Sequence, residues 1–84
     1  MEKSALKEKA KSLPKRPGVY LFKDENGKVL YVGKAKRLRD RVMSYFNVNK
    51  LEGRKTAALV RNIKDLDTIE VESEFEAIVL EAEL

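Results

Sequence analysis

The strongest constraint on this 84-residue chain is a pair of tyrosine-containing tripeptides on either side of an Asn-Gly dipeptide. The tripeptides are Gly18-Val19-Tyr20 and Tyr31-Val32-Gly33, and each lies in an apolar run typical of a β-strand. Asn26-Gly27 between two such runs is a strong hairpin signal, because a type I′ turn needs a positive φ at both central residues. The sequence therefore predicts an antiparallel hairpin that brings two phenols close together.

The length of the hairpin loop decides which residues face each other. A two-residue loop places Tyr20 opposite Gly33, whereas a four-residue loop over residues 24–27 places it opposite Tyr31. Either length leaves Tyr20, Phe22 and Tyr31 on one face, because side chains alternate with period two. We expect the core to lie on the other face, which carries four aliphatic side chains: Val19, Leu21, Leu30 and Val32.

A helix is predicted from residue 34 to residue 46, directly after the second tripeptide. Its apolar residues have the spacing of one buried face: Ala35, Leu38, Val42 and Tyr45 with Phe46. Arg37, Arg41 and Tyr45 are spaced by four and form a second stripe, with Lys34 one turn earlier. A basic stripe is usually only a solvated helix face. This one directly follows a glycine that permits close backbone approach, and its position favours a phosphate site.

Composition excludes several kinds of active site. The chain has no Cys and no His, so disulfides, thiolate zinc sites and imidazole bases are excluded, and acid–base work falls to Tyr, Lys or a carboxylate. The absence of Cys fits a cytoplasmic location, and no signal peptide or membrane span is predicted. We expect one small monomeric domain, residues 1–84. Because no helix-stop residue precedes Leu84, it is expected to be an N-terminal fragment of a longer chain.

The net charge of +4 conceals a division of charge along the chain. Residues 1–64 contain all 18 Lys and Arg with 6 acidic residues, whereas residues 65–84 contain 8 acidic residues and no base. A basic region of this size attracts polyanions such as DNA, with release of condensed counterions. The acidic end would repel the same ligand unless a cation lay between them, which suggests a divalent metal.

The remaining segments predict three helices, a loop and one further strand. They are a helix over residues 4–12, a loop over 47–55, a helix over 56–63, a half-buried edge strand over 68–72 and a last helix over 73–84. Ser73 and Glu76 form a capping box at the start of the last helix. Apolar residues surround most of that helix, so Glu81 is predicted to be an enclosed carboxylate that needs a cation. An ion pair with an arginine, or exposure at a frayed helix end, is the alternative.

These residues together resemble the GIY-YIG nuclease family, and within it the UvrC-like members of bacterial nucleotide excision repair. The resemblance covers about residues 13–84 and rests on the two tripeptides, their spacing and the motifs that follow: Lys34-Ala35-Lys36, Arg41, Ser44-Tyr45-Phe46 and Leu80-Glu81-Ala82. It implies an α/β fold, with a small, mainly antiparallel three-stranded sheet and helices packed on its faces.

The resemblance also implies metal-dependent hydrolysis of a DNA phosphodiester, the incision 3′ of a lesion. Tyr31 would be the general base, with a pKa lowered by Lys34, Arg41 and the metal, and Glu81 would bind one Mg²⁺ or Mn²⁺. Two further tyrosines would orient water or phosphate, and a lysine and an arginine would supply positive charge. The candidate catalytic residues are Tyr20, Tyr31, Lys34, Arg41 and Tyr45, and the candidate DNA-binding residues are Lys34, Lys36, Arg37 and Arg41.

In the repair context implied by the resemblance, UvrA and UvrB would load damaged DNA onto the longer parent protein. Two alternatives remain open. A stand-alone endonuclease of the same family would share the active site without UvrB. A catalytically silent DNA-binding module would need neither Tyr31 nor Glu81, and metal-dependent nicking distinguishes it from the other two.

Overall fold

The computed structural model describes residues 3–46 and 59–84. Its elements are α1 (Lys3–Lys11), β1 (Gly18–Lys23), β2 (Val29–Ala35), α2 (Leu38–Phe46), β3 (Asp65–Glu70) and α3 (Glu74–Glu83). The strands form one antiparallel sheet in the order β2-β1-β3. The predicted α/β class and three-stranded sheet are confirmed. No helix within these two ranges is long and apolar enough to cross a membrane.

The hairpin forms, but its loop has neither of the predicted lengths. The Asp24 amide donates to the Lys28 carbonyl (2.9 Å), which leaves a loop of three residues. Among the described residues only Gly27 has a positive φ (81°), so the predicted type I′ turn, which needs two, is wrong. The reason is the Asp24 carboxylate, whose Oδ1 accepts the amides of Asn26 and Lys28 at 2.9 Å each.

A β-bulge in β2 compensates for the odd loop length. Lys23 pairs with Val29 while Phe22 pairs with Tyr31, so β2 contains one extra residue at this point. Beyond the bulge, Tyr20 pairs with Gly33 and Phe22 with Tyr31, which is the register predicted for a two-residue loop. Both tyrosines of the hairpin consequently share one face, as expected.

The main core lies on the tyrosine face of the sheet, which reverses the predicted orientation. Tyr20 and Phe22 are fully buried. On the other face Val19 is fully buried as well, whereas Leu21, Leu30 and Val32 are only partly buried. The apolar residues of helices α1 and α2 form one core with the two rings, which offer more apolar surface than the aliphatic side chains. The core residues are Leu6, Ala10, Leu13, Tyr20, Phe22, Ala35, Leu38, Val42, Ile63 and Leu66. The predicted apolar side of the first helix, residues 6, 10 and 13, is confirmed.

Helix α2 begins at Leu38 and not at residue 34. Residues 34 and 35 continue β2, because Ala35 still pairs with Gly18 of β1. The first amides of α2 are satisfied by carbonyls of the segment after α1: Leu38 donates to Arg16 (2.9 Å) and Arg39 to Pro14 (3.2 Å). Lys34 is therefore a strand residue, and alternation places it on the face opposite Tyr20.

Helix α3 packs across β1 and β2 on the face opposite the main core. The Ser73 side chain accepts the Glu76 amide (3.2 Å), which confirms the N-terminal half of the capping box. The Glu76 carboxylate accepts the Glu72 amide (3.3 Å) instead of the Ser73 amide. Ala77 is the buried residue of the helix, so the prediction of a mostly buried helix is wrong. The exposed apolar residues here are Phe75, Ile78, Val79 and Leu84.

Strand β3 is an edge strand, as predicted, but it begins at Asp65, three residues earlier than expected. It pairs with the whole of β1, from Lys23–Asp65 to Gly18–Glu70. Leu66 provides the buried position of the strand. The predicted loop over 47–55 and the first part of the predicted helix over 56–63 lie outside the described residues, whereas residues 59–62 are helical.

Candidate active site

Tyr20 is the central side chain of the tyrosine face and is fully buried. It pairs across the hairpin with Gly33 of β2. A Cβ atom added at Gly33 would overlap the Cζ carbon and the hydroxyl of the Tyr20 ring, so only glycine leaves room for the ring in this position. The glycine that closes the second tripeptide is therefore needed to seat the tyrosine that closes the first.

The Tyr20 hydroxyl connects β1 with α2. It is hydrogen-bonded to the Tyr45 hydroxyl (3.0 Å) and accepts a hydrogen bond from Arg41 Nε (3.3 Å). Arg41 and Tyr45 are four residues apart on α2, and the guanidinium carbon lies 5.5 Å from the centroid of the Tyr45 ring. Because Tyr20 has no solvent exposure, it positions these two side chains and does not itself face a ligand. Its predicted role in orienting water or phosphate is thus indirect in this structure.

Tyr31 is 40% exposed and is the most accessible of the three tyrosines. Its ring centroid lies 6.1 Å from that of Tyr20 and 6.4 Å from that of Tyr45. Partial burial raises the pKa of the Tyr31 phenol, and Tyr45 raises it further, whereas Arg41 acts in the opposite direction. In the chain alone the pKa of Tyr31 is thus raised, because lost hydration outweighs the attraction of Arg41 for the phenolate. The expected lowering includes the effect of a bound metal ion and stays a prediction.

Glu81 of α3 is paired with Lys34 of β2, with 3.5 Å between Oε2 and Nζ. The Glu81 side chain is 31% exposed, and its helical neighbours Ile78 and Leu84 are exposed as well. The prediction of an enclosed carboxylate is therefore wrong, and an ion pair, with lysine in place of arginine, is what the structure contains. Glu81 also raises the pKa of Tyr31, so the carboxylate and the phenol share one electrostatic environment.

Glu81 is the carboxylate of this site that could bind a metal ion. In the described part of the chain, no group of three or more acidic side chains comes together as a ligand cluster. Mg²⁺ fits such a site, because it is commonly held through one or two carboxylates and keeps several of its waters. The partial exposure of Glu81 leaves its carboxylate open to a hydrated ion.

Lys36 and Arg37 lie between β2 and α2, and both are exposed. Lys36 pairs with Glu74 of α3, with 3.8 Å between Nζ and Oε2. The Arg37 carbonyl accepts the Arg41 amide (3.1 Å) and so belongs to the first turn of α2. The four candidate DNA-binding cations thus come from one short stretch of chain, and glutamates of α3 engage two of them.

The three-stranded sheet, the two tripeptides paired across β1 and β2 and the tyrosine–arginine network define a GIY-YIG domain. A family model for the UvrC-like GIY-YIG domain matches residues 16–84. The chain is 56% identical over 77 residues to the UvrABC system protein C of Gemmatimonas aurantiaca, and 52% identical over 82 residues to that of Chlorobaculum tepidum. The chain belongs to the UvrC-like GIY-YIG family. These alignments cover 92% and 98% of this chain but only 12% and 13% of the relatives.

Solved structures agree with this assignment. The chain matches the GIY-YIG N-terminal endonuclease domain of UvrC from Thermotoga maritima, bound to magnesium as its catalytic divalent cation, with a TM-score of 0.84 and 37% identity. The match covers 99% of this chain and 88% of that one. Two tyrosine-to-phenylalanine variants of the same domain, with TM-scores of 0.85 and 0.86, are also bound to the catalytic divalent cation.

The structure brings the predicted tyrosines and arginine together, but it adds two contacts that sequence reasoning missed. These are the Lys34–Glu81 pair and the Lys36–Glu74 pair. The alternation of side chains along β2 offered a signal for the first, because a residue next to Gly33 faces away from the tyrosines. The second had no comparable signal, since it depends on where the N-terminus of α3 lies.

Proposed function

We propose that this chain is a divalent-metal-dependent endonuclease domain that hydrolyses a DNA phosphodiester in nucleotide excision repair. The observation that carries the proposal is one accessible phenol, Tyr31, beside a hydrogen-bonded network in which Tyr20 is buried, Tyr45 is half-buried and Arg41 is exposed. The carboxylate of Glu81 is close enough to this phenol to raise its pKa. Membership of the UvrC-like GIY-YIG family and the cation-bound endonuclease domain from Thermotoga maritima support the proposal.

The proposed general base is Tyr31. Its exposure allows it to meet an attacking water, from which it would take a proton. The positive charge of Arg41 favours the phenolate form of Tyr31. Arg41 would also stabilise the negative charge that develops on the phosphate oxygens, and the Tyr20 hydroxyl holds it in a fixed position for this purpose. Tyr45 would orient the phosphate or water through its hydroxyl.

Glu81 is the proposed ligand of one Mg²⁺ or Mn²⁺. When bound, such an ion polarises a phosphate oxygen and lowers the pKa of a bound water. The Thermotoga maritima variants that lack a tyrosine hydroxyl still hold the cation. This supports metal binding through a carboxylate, because the cation stays bound when one of these hydroxyls is absent.

Lys34, Lys36, Arg37 and Arg41 are the proposed contacts to the DNA backbone. Phosphate contacts of this kind position a duplex without reading its sequence. Since the chain spans about an eighth of the curated relatives it matches, the action of the whole protein is part of the proposal. UvrA and UvrB would load damaged DNA onto the longer protein that contains this domain. That protein would act in the cytoplasm, and the domain itself would be monomeric.

A plasmid-nicking assay tests the proposal, with the parent protein, UvrA and UvrB on damaged plasmid in Mg²⁺, Mn²⁺ or EDTA. We expect nicks with either metal and none in EDTA. Tyr31→Phe should abolish nicking but keep the fold and DNA binding, because its ring still packs beside Tyr20 and only the hydroxyl is lost. Nicking in EDTA would contradict the metal requirement, and a wild-type rate in Tyr31→Phe would remove Tyr31 from the role of base.

A further inference from the structure

We infer that Lys34 competes with the divalent cation for Glu81, so that metal binding is coupled to the release of Lys34 toward a DNA phosphate. The inference rests on the proposed function of Glu81 as a metal ligand. In the structure, Lys34 Nζ lies 3.5 Å from Glu81 Oε2, the oxygen type that a hard cation would use. Glu81 therefore forms an ion pair with Lys34 through the same carboxylate that would bind the metal.

The two partners are held near each other by rigid elements on both sides. Lys34 pairs with Val19 in the hairpin, so its backbone is fixed within the sheet. Glu81 follows the buried Ala77 by one helical turn, and the Ser73 cap fixes the start of the same helix. The side chains are 50% and 31% exposed, so the pair can open without moving either backbone. Such a pair can act as a replaceable contact.

An ammonium group at Glu81 weakens metal binding in two ways. It occupies a carboxylate oxygen, and it repels a divalent cation. A DNA phosphate that draws Lys34 away removes both effects, and the site then binds the metal more tightly. Because binding free energies are linked, the metal must raise the affinity for that phosphate by the same factor. The domain would then bind metal weakly when free and more tightly when DNA is in place.

Mn²⁺ binding to the intact chain, followed by the electron paramagnetic resonance signal of free Mn²⁺, tests the competition without an activity assay. We expect Lys34→Met to bind Mn²⁺ about two- to fivefold more tightly than the wild type, the size typical of a partly exposed ion pair. Lys36→Met is the matched control, since it removes the same charge from a lysine paired with Glu74. It should bind Mn²⁺ like the wild type, and Glu81→Gln should lose the site.

The outcomes separate this inference from the proposed function. Unchanged or weaker Mn²⁺ binding in Lys34→Met, or an equal gain in Lys36→Met, would overturn the competition and leave Glu81 as a ligand. Unaltered Mn²⁺ binding in Glu81→Gln would overturn the metal assignment and the inference with it. Lys34→Gln should repeat the gain of Lys34→Met, which guards against a folding defect in one variant.

The coupling to phosphate is tested with a short DNA duplex by fluorescence anisotropy at constant ionic strength, in EDTA and in Mg²⁺. All variants carry Tyr31→Phe in addition, so that the DNA stays intact. Lys34→Met should weaken DNA binding more in Mg²⁺ than in EDTA, because Glu81 holds Lys34 only in EDTA. Lys36→Met should weaken it equally in both. An equal loss in both conditions for Lys34→Met would overturn the coupling.

Discussion

The arrangement of single residues in this site depends on one buried hydroxyl. A phenol has one proton to donate and two lone pairs, so Tyr20 can serve Arg41 and Tyr45 at the same time. Both partners lie on α2, whereas Tyr20 lies on β1. The hydroxyl therefore sets the position of a charge and a second phenol relative to the sheet. Tyr31 of β2 lies beside Tyr20 and Tyr45.

Tyr20→Phe is expected to lower nicking more than Tyr45→Phe does. The first change removes the hydrogen bonds to Arg41 and to Tyr45, and the second removes only one of them. Each bond contributes about 0.5–1.5 kcal/mol net, so Tyr20→Phe should also lower the free energy of unfolding by roughly 1–3 kcal/mol. Nicking rates and urea unfolding of both variants check this. A wild-type rate in Tyr20→Phe would show that Tyr20 does not act through Arg41.

Gly33→Ala is expected to displace the Tyr20 ring, because the new methyl group would overlap it. Overpacking of this kind costs about 1–3 kcal/mol, and nicking by the folded fraction should fall as well. Gly27→Ala is the control: it places a methyl in open space at a φ of 81°, so it strains the loop and leaves the tyrosines in place. Loss of nicking in both variants would mean that hairpin stability, and not the position of Tyr20, controls activity.

At the level of elements, sequence patterns predicted where strands and helices occur better than how they pack. Alternation placed the two hairpin tyrosines on one face, but it could not say which face the helices cover. That choice is made by α1 and α2, whose apolar residues form one core with Tyr20 and Phe22. The loop was mispredicted because the Asp24 side chain binds two backbone amides and stabilises an odd length.

The apolar composition of α3 predicts a buried helix, whereas Ala77 is its buried residue in the structure. Phe75 is 72% exposed, so Phe75→Ala should change the free energy of unfolding by no more than about 0.5 kcal/mol. Leu38→Ala, at a fully buried position on α2, should cost about 2–5 kcal/mol. Urea denaturation of both variants gives the comparison. A similar large loss in both would mean that the Phe75 ring is covered in solution.

Asp65, the first residue of β3, makes a pH-dependent contribution to the stability of the fold. The Leu66 amide, which donates to Asp65 Oδ1 at 2.8 Å, lowers the pKa of this carboxyl, and Lys9 of α1 adds to the effect. A carboxyl whose pKa is lowered in the folded state stabilises the fold at pH values above its unfolded pKa of about 3.9. That stabilisation is lost as the pH falls through the pKa of the folded state. Asp65→Asn should therefore lower the melting temperature at pH 7 but much less at pH 3.

The size of the Asp65 effect should be modest. Its side chain is about half exposed, at 47%, so the loss at pH 7 should stay below about 1 kcal/mol. Melting curves of wild type and Asp65→Asn at pH 7, 5 and 3 follow it. A constant difference across this range would show that the carboxylate charge contributes nothing and that only the shape of the side chain matters.

For the whole molecule, the division of charge along the sequence becomes a set of contacts between its two parts. Lys34–Glu81, Lys36–Glu74 and Arg16–Glu72 each join a basic residue of the first part to the acidic segment around α3. The sequence showed the division of charge and led to the expectation of a cation between the two parts. It could not show that cations of the chain itself fill part of that role, because this depends on how α3 packs on the sheet.

DNA affinity of this chain should be weak, independent of sequence and strongly dependent on salt. If two to four of the candidate cations each neutralise one phosphate, log K against log salt should have a slope between about −1.8 and −3.6, at about −0.9 per phosphate. Arg37→Gln removes one of these contacts, so the slope should become shallower by about 0.9. Lys28→Gln is the matched control, since Lys28 lies at the hairpin loop, at the other end of β2 from Lys34. Anisotropy titrations of a short duplex at several salt concentrations give these slopes. A flat dependence, or an equal change in both variants, would show that the basic stretch from β2 into α2 is ordinary solvated surface.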